Sequence, residues 1–132
     1  MKSNLVVIGV GSNIRPDEHI SSAKAAIESA HEIVKVSSFI KTEPVGYKDQ
    51  DRFTNGALLI KTDMDAAGLK AWLKKLENKL GRMKTENKNG PRTIDLDILV
   101  WNGEVVDDEV NEREFLKDSI HELLPELGIG GF

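Results

Sequence analysis

Residues Asn89 to Trp101 read NGPRTIDLDILVW. From Ile94 onward the run is short, apolar and rich in β-branched residues, which predicts a core strand. Asp95 and Asp97 interrupt it. Side chains alternate along a strand, so Thr93, Asp95 and Asp97 share one face, and Ile94, Leu96 and Ile98 share the other. The apolar face must lie against helices, and the acidic face must look elsewhere. The Gly90-Pro91 turn fixes the backbone just before Arg92 and this strand.

The neighbouring segments complete a pattern. Asn102-Gly103 is a hairpin signal, so Glu104 to Val106 pairs back on the strand. Upstream, Asn4 to Val10 forms a first strand, ending at a Gly-Ser-Asn turn. Pro16 and Asp17 open a helix to about Ala30, with Ile20, Ala23, Ile27 and Ala30 as its apolar stripe. Glu32 to Lys41 predicts a second strand, and Phe53 to Lys61 a third. Asp63 or Asp65 caps a helix carrying Leu69, Trp72, Leu73, Leu76 and Leu80, and Gly81 ends it. A short helix is expected within Arg113 to Leu127. The order β-α-β-β-α-β predicts an α+β, ferredoxin-like sandwich. It has an antiparallel sheet, helices on one face, an extra hairpin strand and a short C-terminal helix. Residues 1–132 show no internal repeat or linker and are expected to form one domain.

Composition narrows the function classes. Of the 132 residues, 39% are hydrophobic and 30% charged, which suits a globular chain. A net charge of -4 gives no general attraction to nucleic acid or membrane. Without cysteine there is no disulfide or thiolate chemistry, in keeping with a cytoplasmic location. No apolar run approaches the ~20 residues that span a bilayer. The N-terminus reads as a strand rather than a signal peptide.

Several residues invite chemistry. Asp95 and Asp97 have Cα atoms about 6.5 to 7 Å apart, twice the strand rise. They can hold one or two hard cations such as magnesium, together with substrate phosphates. From spacing alone the better reading is that they decorate a solvated sheet face. Two like charges this close repel unless something neutralises them, which shifts the balance slightly toward a cation. The preceding loop offers Arg82, Lys84, Lys88 and Arg92 against one acid, Glu86. For each single lysine a solvated loop is the better reading than a phosphate contact. Arg92, held by its turn, fits a phosphate better. Phe53 and Asn55 share a strand face, as a site for a flat heterocycle would, but a core ring and an edge amide is the better reading of these two residues alone. Other signatures are missing. There is no P-loop, and Gly9-x-Gly11 has Ile14 where a dinucleotide fingerprint needs glycine, so this pair reads as a strand-to-helix turn. His19, His31 and His121 fit no zinc spacing and read as surface or partly packed residues.

Taken together, GSN at residues 11–13, TEPVG at 42–46, FTNGA at 53–57 and GPRTIDLDIL at 90–99 resemble the hydroxymethyl-dihydropterin pyrophosphokinase family. A weaker likeness returns at REFL and LLPEL. The resemblance implies a magnesium-dependent transfer of pyrophosphate from ATP to a reduced pterin in folate biosynthesis, releasing AMP. It implies that Asp95 and Asp97 bind two magnesium ions, and that Asp97 helps deprotonate the attacking hydroxyl. Thr42, Val45 and Asn55 would recognise the pterin, and Phe53 and Phe115 would sandwich it. Arg92 would bind phosphate, Arg82 and Lys84 would belong to a closing loop, and Glu77 and Ile98 would face the nucleotide. The expected partners are the pterin and ATP, with no nucleic acid or membrane. A monomer is expected, with dimerisation through an exposed edge strand as the alternative.

The chain departs from the family pattern in two places. Asn89 stands where the family has tryptophan, and a Val-Pro-His-Pro type segment is missing between Asp107 and Phe115. His121 does not replace its histidine. The metal and pterin positions are retained while the nucleotide side is thinned. Three readings follow: a short pyrophosphokinase, a non-catalytic pterin-binding or regulatory module, and a ligand-free interaction domain.

Overall fold

A computed structural model describes residues 3–43, 52–81 and 94–125. The elements run β1 (Asn4–Ser12), α1 (Pro16–Ala30), β2 (Glu32–Val36), β3 (Ile40–Thr42), β4 (Phe53–Thr62), α2 (Ala66–Lys79), β5 (Asp95–Trp101) and β6 (Glu104–Val105). A 3-10 turn at Asp108–Asn111 and helix α3 (Glu114–Leu123) follow. The strands form one antiparallel sheet ordered β2-β4-β1-β5-β6, with β3 also pairing β4. Helix α1 links β1 to β2 with β4 between them, and α2 links β4 to β5 with β1 between them. This is the expected α+β sandwich.

The sheet divides its apolar residues by alternation. Val6, Ile8 and Val10 of β1, Leu58 and Ile60 of β4, and Ile94 and Leu96 face α1 and α2. There they meet Ile20, Ala23 and Ile27 from α1 and Leu69, Leu73 and Leu76 from α2. Val7, Ala57, Leu59 and Val100 point the other way, to Ile120 and Leu123 of α3. The two crossover helices thus share one face as expected, and the C-terminal helix covers part of the opposite face. Its buried side chains recur at helical spacing, Ser119, Ile120 and Leu123.

Local chemistry sets the ends. The Asp65 carboxylate accepts the Gly68 N–H at 2.7 Å and caps α2, and Gly81 leaves that helix with φ of 89°. The hairpin turn uses positive φ at both Asn102 and Gly103, 48° and 86°, which an Asn-Gly pair tolerates. Helix α1 ends at Ala30, which is exposed rather than part of the stripe. Ala26 packs against the core in its place.

The predicted single strand from Glu32 to Lys41 is two strands. The break has a hydrogen-bonding cause. Ser37 donates its N–H to the Ala57 carbonyl, and its hydroxyl accepts the Ala57 N–H at 2.8 Å. A side chain thus takes the ladder position of a carbonyl, and the backbone leaves the strand path. Phe39 then lies over Gly56, where a Cβ would come within 2.6 Å of the ring. Gly56→Ala forces that ring aside. It is expected to destabilise the fold by about 2 kcal/mol in urea unfolding, the usual scale of overpacking. Phe39→Leu in the same chain should recover part of the loss.

Candidate functional site

The register between β1 and its two neighbours builds the site. Gly11 pairs with Asn55 on one side and Asp95 on the other. Gly9 pairs likewise with Ala57 and Asp97. All six lie on the sheet face away from α1 and α2. Glycine at both central positions leaves a flat floor. A Cβ at Gly11 would meet Asn55 Oδ1 at 2.6 Å, and one at Gly9 would meet Leu99 at 3.0 Å. The two glycines therefore serve a close approach within β1. They do not form the strand-to-helix turn expected from the sequence.

A cavity of about 290 Å³ opens on this floor. Thr42, Phe53 and Asn55 line one side, Asp95 and Asp97 another, and Phe115 and Arg113 come in from the start of α3. The Asn55 amide donates to Thr42 Oγ1 at 2.5 Å, which fixes its orientation beside the two rings. The sequence separates these residues widely, and the sheet register with the packing of α3 brings them together.

A second cavity, of about 620 Å³, lies on the outer side of β5 beside α2. Ile98, Trp101 and Leu73 supply apolar lining, and Lys70 and Lys74 supply charge. Among the described residues β6 pairs only with Val100 and Trp101, and no strand lies beside the outer edge of β5 near Leu96. The buried Glu77 carboxylate covers it by accepting the Leu96 N–H at 2.8 Å. Asp97 and Asp107 line both cavities.

Burial and neighbouring acids at this junction raise the Asp97 carboxyl from its ordinary 3.8 to about 7. Desolvation by the surrounding protein is the largest cause, followed by Asp95, Asp107, Glu77 and Glu109. By surface area Asp97 remains exposed to the open cavity, so entering water screens part of this effect. Among the described residues no three histidine, cysteine or acidic side chains are grouped to hold a metal by themselves. Two carboxylates at an acidic junction suit a hard cation that keeps waters and shares substrate phosphates.

Arg113 carries no motif signal of its own and was found only through the geometry. It is half-buried in the first cavity and sits 3.9 Å from Glu109. Its place in the cavity that Asp97 also lines follows from where α3 packs, which no local pattern reveals. Val45, Arg82, Lys84 and Arg92 lie outside the described residues. His31 is buried, against the expectation of a surface or partly packed residue, and its Nδ1 lies 2.9 Å from Thr62 Oγ1.

A family model described as 7,8-dihydro-6-hydroxymethylpterin-pyrophosphokinase (HPPK) matches residues 7–125. The chain belongs to the HPPK family. Its relatives include a 2-amino-4-hydroxy-6-hydroxymethyldihydropteridine pyrophosphokinase of Bacillus subtilis, 42% identical over 81% of this chain. A protein of that name from Methylorubrum extorquens is 34% identical over 94% of the chain and is matched over 85% of its own length. The fission-yeast folic acid synthesis protein fol1 is 34% identical over 96% of this chain. The chain spans 65% of the Bacillus relative's length and 19% of the fission-yeast protein's. Within this HPPK fold, both cavities and the two aspartates they share fall inside the matched span.

The raised Asp97 carboxyl has a stability consequence. The folded protein binds more protons than the unfolded chain between pH 3.8 and about 7. Metal-free stability therefore falls as pH rises through that window. Asp97→Asn is expected to stabilise the chelator-treated protein at about pH 8, by on the order of 1 kcal/mol given the open cavity. The gain should vanish near about pH 3.5, where the aspartate is protonated in both states. Urea melts at the two pH values check this.

Proposed function

We propose that this chain transfers the terminal diphosphate of ATP to the hydroxymethyl group of 6-hydroxymethyl-7,8-dihydropterin. The pterin oxygen bonds to the β-phosphorus, the bond from that phosphorus to the α-phosphate oxygen breaks, and AMP leaves. The observation that carries this reading is the meeting of two cavities at Asp97. One suits a flat, hydrogen-bonding ring, the other an apolar heterocycle with a charged tail.

Each described residue then has a task. Phe53 and Phe115 stack on the pterin faces, a geometry worth about 0.5–1.5 kcal/mol per aromatic pair beyond area burial. Asn55, with Thr42 and Val45, reads the pterin edge by donor and acceptor pairing. Ile98 and the Glu77 side of β5 meet the nucleotide. Asp95 and Asp97 hold two magnesium ions, which when bound neutralise the triphosphate and orient it. Asp97 also lies where it can accept the hydroxyl proton. Arg113 joins Arg82, Lys84 and Arg92 in countering phosphate charge. Holding two substrates in line supplies much of the rate, since phosphoryl transfer depends mainly on positioning and charge stabilisation.

One observation favours a second reading, a pterin-binding module without transfer activity. Asp107 and Glu109 sit at the junction where a triphosphate would cross, and like charge there opposes nucleotide entry.

Turnover separates the two. Protein, ATP, magnesium and the pterin together should yield AMP by chromatography, with none when the pterin is left out or a chelator is added. Asp97→Ala should lower the rate at least about a hundredfold, the scale of losing one electrostatic stabiliser. No AMP with intact pterin binding would select the binding module. Phe115→Ala should weaken pterin affinity about tenfold, as loss of a stacking ring implies, while ATP affinity stays near that of the unaltered protein.

A further inference from the structure

Helix α3 brings Phe115 to the first cavity at its N-terminal end. Its apolar side chains hold it on the sheet, but burial is non-directional and permits sliding. Its C-terminal end makes a directional contact. One oxygen of the Glu122 carboxylate accepts both the Ser38 N–H, at 2.9 Å, and the Ser38 hydroxyl, at 3.0 Å. Ser38 lies in the break between β2 and β3, next to Ser37, which is bonded to Ala57 through both its N–H and its hydroxyl. The acceptor therefore docks on a firmly held piece of backbone.

That backbone continues directly into β3. Ile40 pairs with Asn55 and Thr42 with Phe53. Glu122 thus links the helix bearing one aromatic wall to the strand segment bearing the other wall's partners. Seven residues of helix separate Phe115 from Glu122, a lever of about 10 Å at the standard rise. A small shift of α3 at the Ser38 end becomes a change in the gap between Phe115 and Phe53.

We propose that Glu122 is a positioning residue that sets the width of the aromatic slot by tying α3 to Ser38. The inference rests on the pterin reading of that slot. Glu122 touches no substrate. Its effect appears in pterin binding and spares the nucleotide cavity, which lies on the outer side of β5.

The test compares Glu122→Ala, Glu122→Gln and Ser38→Ala with the unaltered protein. Pterin affinity is read by the ligand's own fluorescence, steady-state constants by AMP release, and Tm by calorimetry, all well below the lowest Tm. Glu122→Ala should raise the pterin Kd and KM about fivefold, the equivalent of one net hydrogen bond of about 1 kcal/mol. The ATP KM and kcat should stay within twofold. Glu122→Gln keeps an acceptor oxygen and should recover most of the affinity. Ser38→Ala removes one of the two bonds and should fall between. A lowered Tm with unchanged pterin affinity in Glu122→Ala would overturn the proposal and leave a merely structural contact. Equal losses for pterin and ATP would overturn it too. If the unaltered protein neither binds the pterin nor forms AMP, the functional reading itself fails, and the variants are not needed to learn that.

Discussion

The pairing of β1 with β5 is the constraint on which the molecule depends. Strand alternation has a period of two, so one shift in register would exchange every inward and outward side chain. Leu96 opposite Val10 and Ile98 opposite Ile8 hold the apolar register against α1 and α2. With those residues buried, Asp95 and Asp97 have only the opposite face, above Gly11 and Gly9. Core packing therefore positions the carboxylates. The same pairing through β4 sets Asn55 in line with Asp95 across Gly11, two strand spacings away, about 10 Å. That interval suits two groups that grip different ends of a small ligand.

The site is an unfavourable one for the metal-free fold. Asp97 is flanked by Asp95, Asp107, Glu77 and Glu109, and its carboxyl is driven up to about 7. Burial and like charge of this kind oppose folding at neutral pH, and a bound cation would offset them. Perturbed carboxylates of this kind concentrate at functional sites for this reason. The lone half-buried guanidinium described in the first cavity, Arg113, offsets only part of the acidic charge around it. On the outer side of β5, Lys70 and Lys74 add positive charge to the second cavity.

Much of this was legible in the sequence, and the exceptions have physical causes. Strand β5, both crossover helices and the Asn102-Gly103 turn announce themselves through periodicity and local chemistry. So did the grouping of Thr42, Phe53, Asn55, Asp95, Asp97 and Phe115, though through family likeness rather than spacing, because register and helix packing unite them. The break at Ser37 was hidden, since a hydroxyl replacing a ladder carbonyl leaves no trace in hydrophobic alternation. The role of Gly9 and Gly11 was misread because a close approach across strands involves Asn55 and Leu99, residues far away in the chain. Arg113 was invisible for a similar reason: only the docking of α3 brings it to the cavity that Asp95 and Asp97 line.

In the proposed reaction two ligands approach Asp97 from opposite sides of β5. A crystal structure with magnesium, the pterin and a non-hydrolysable ATP analogue would show this. The pterin is expected between Phe53 and Phe115, the adenine ring against Ile98, and the phosphate chain crossing beside Asp97. Both ligands on the same side of β5, or a phosphate chain remote from Asp97, would contradict it.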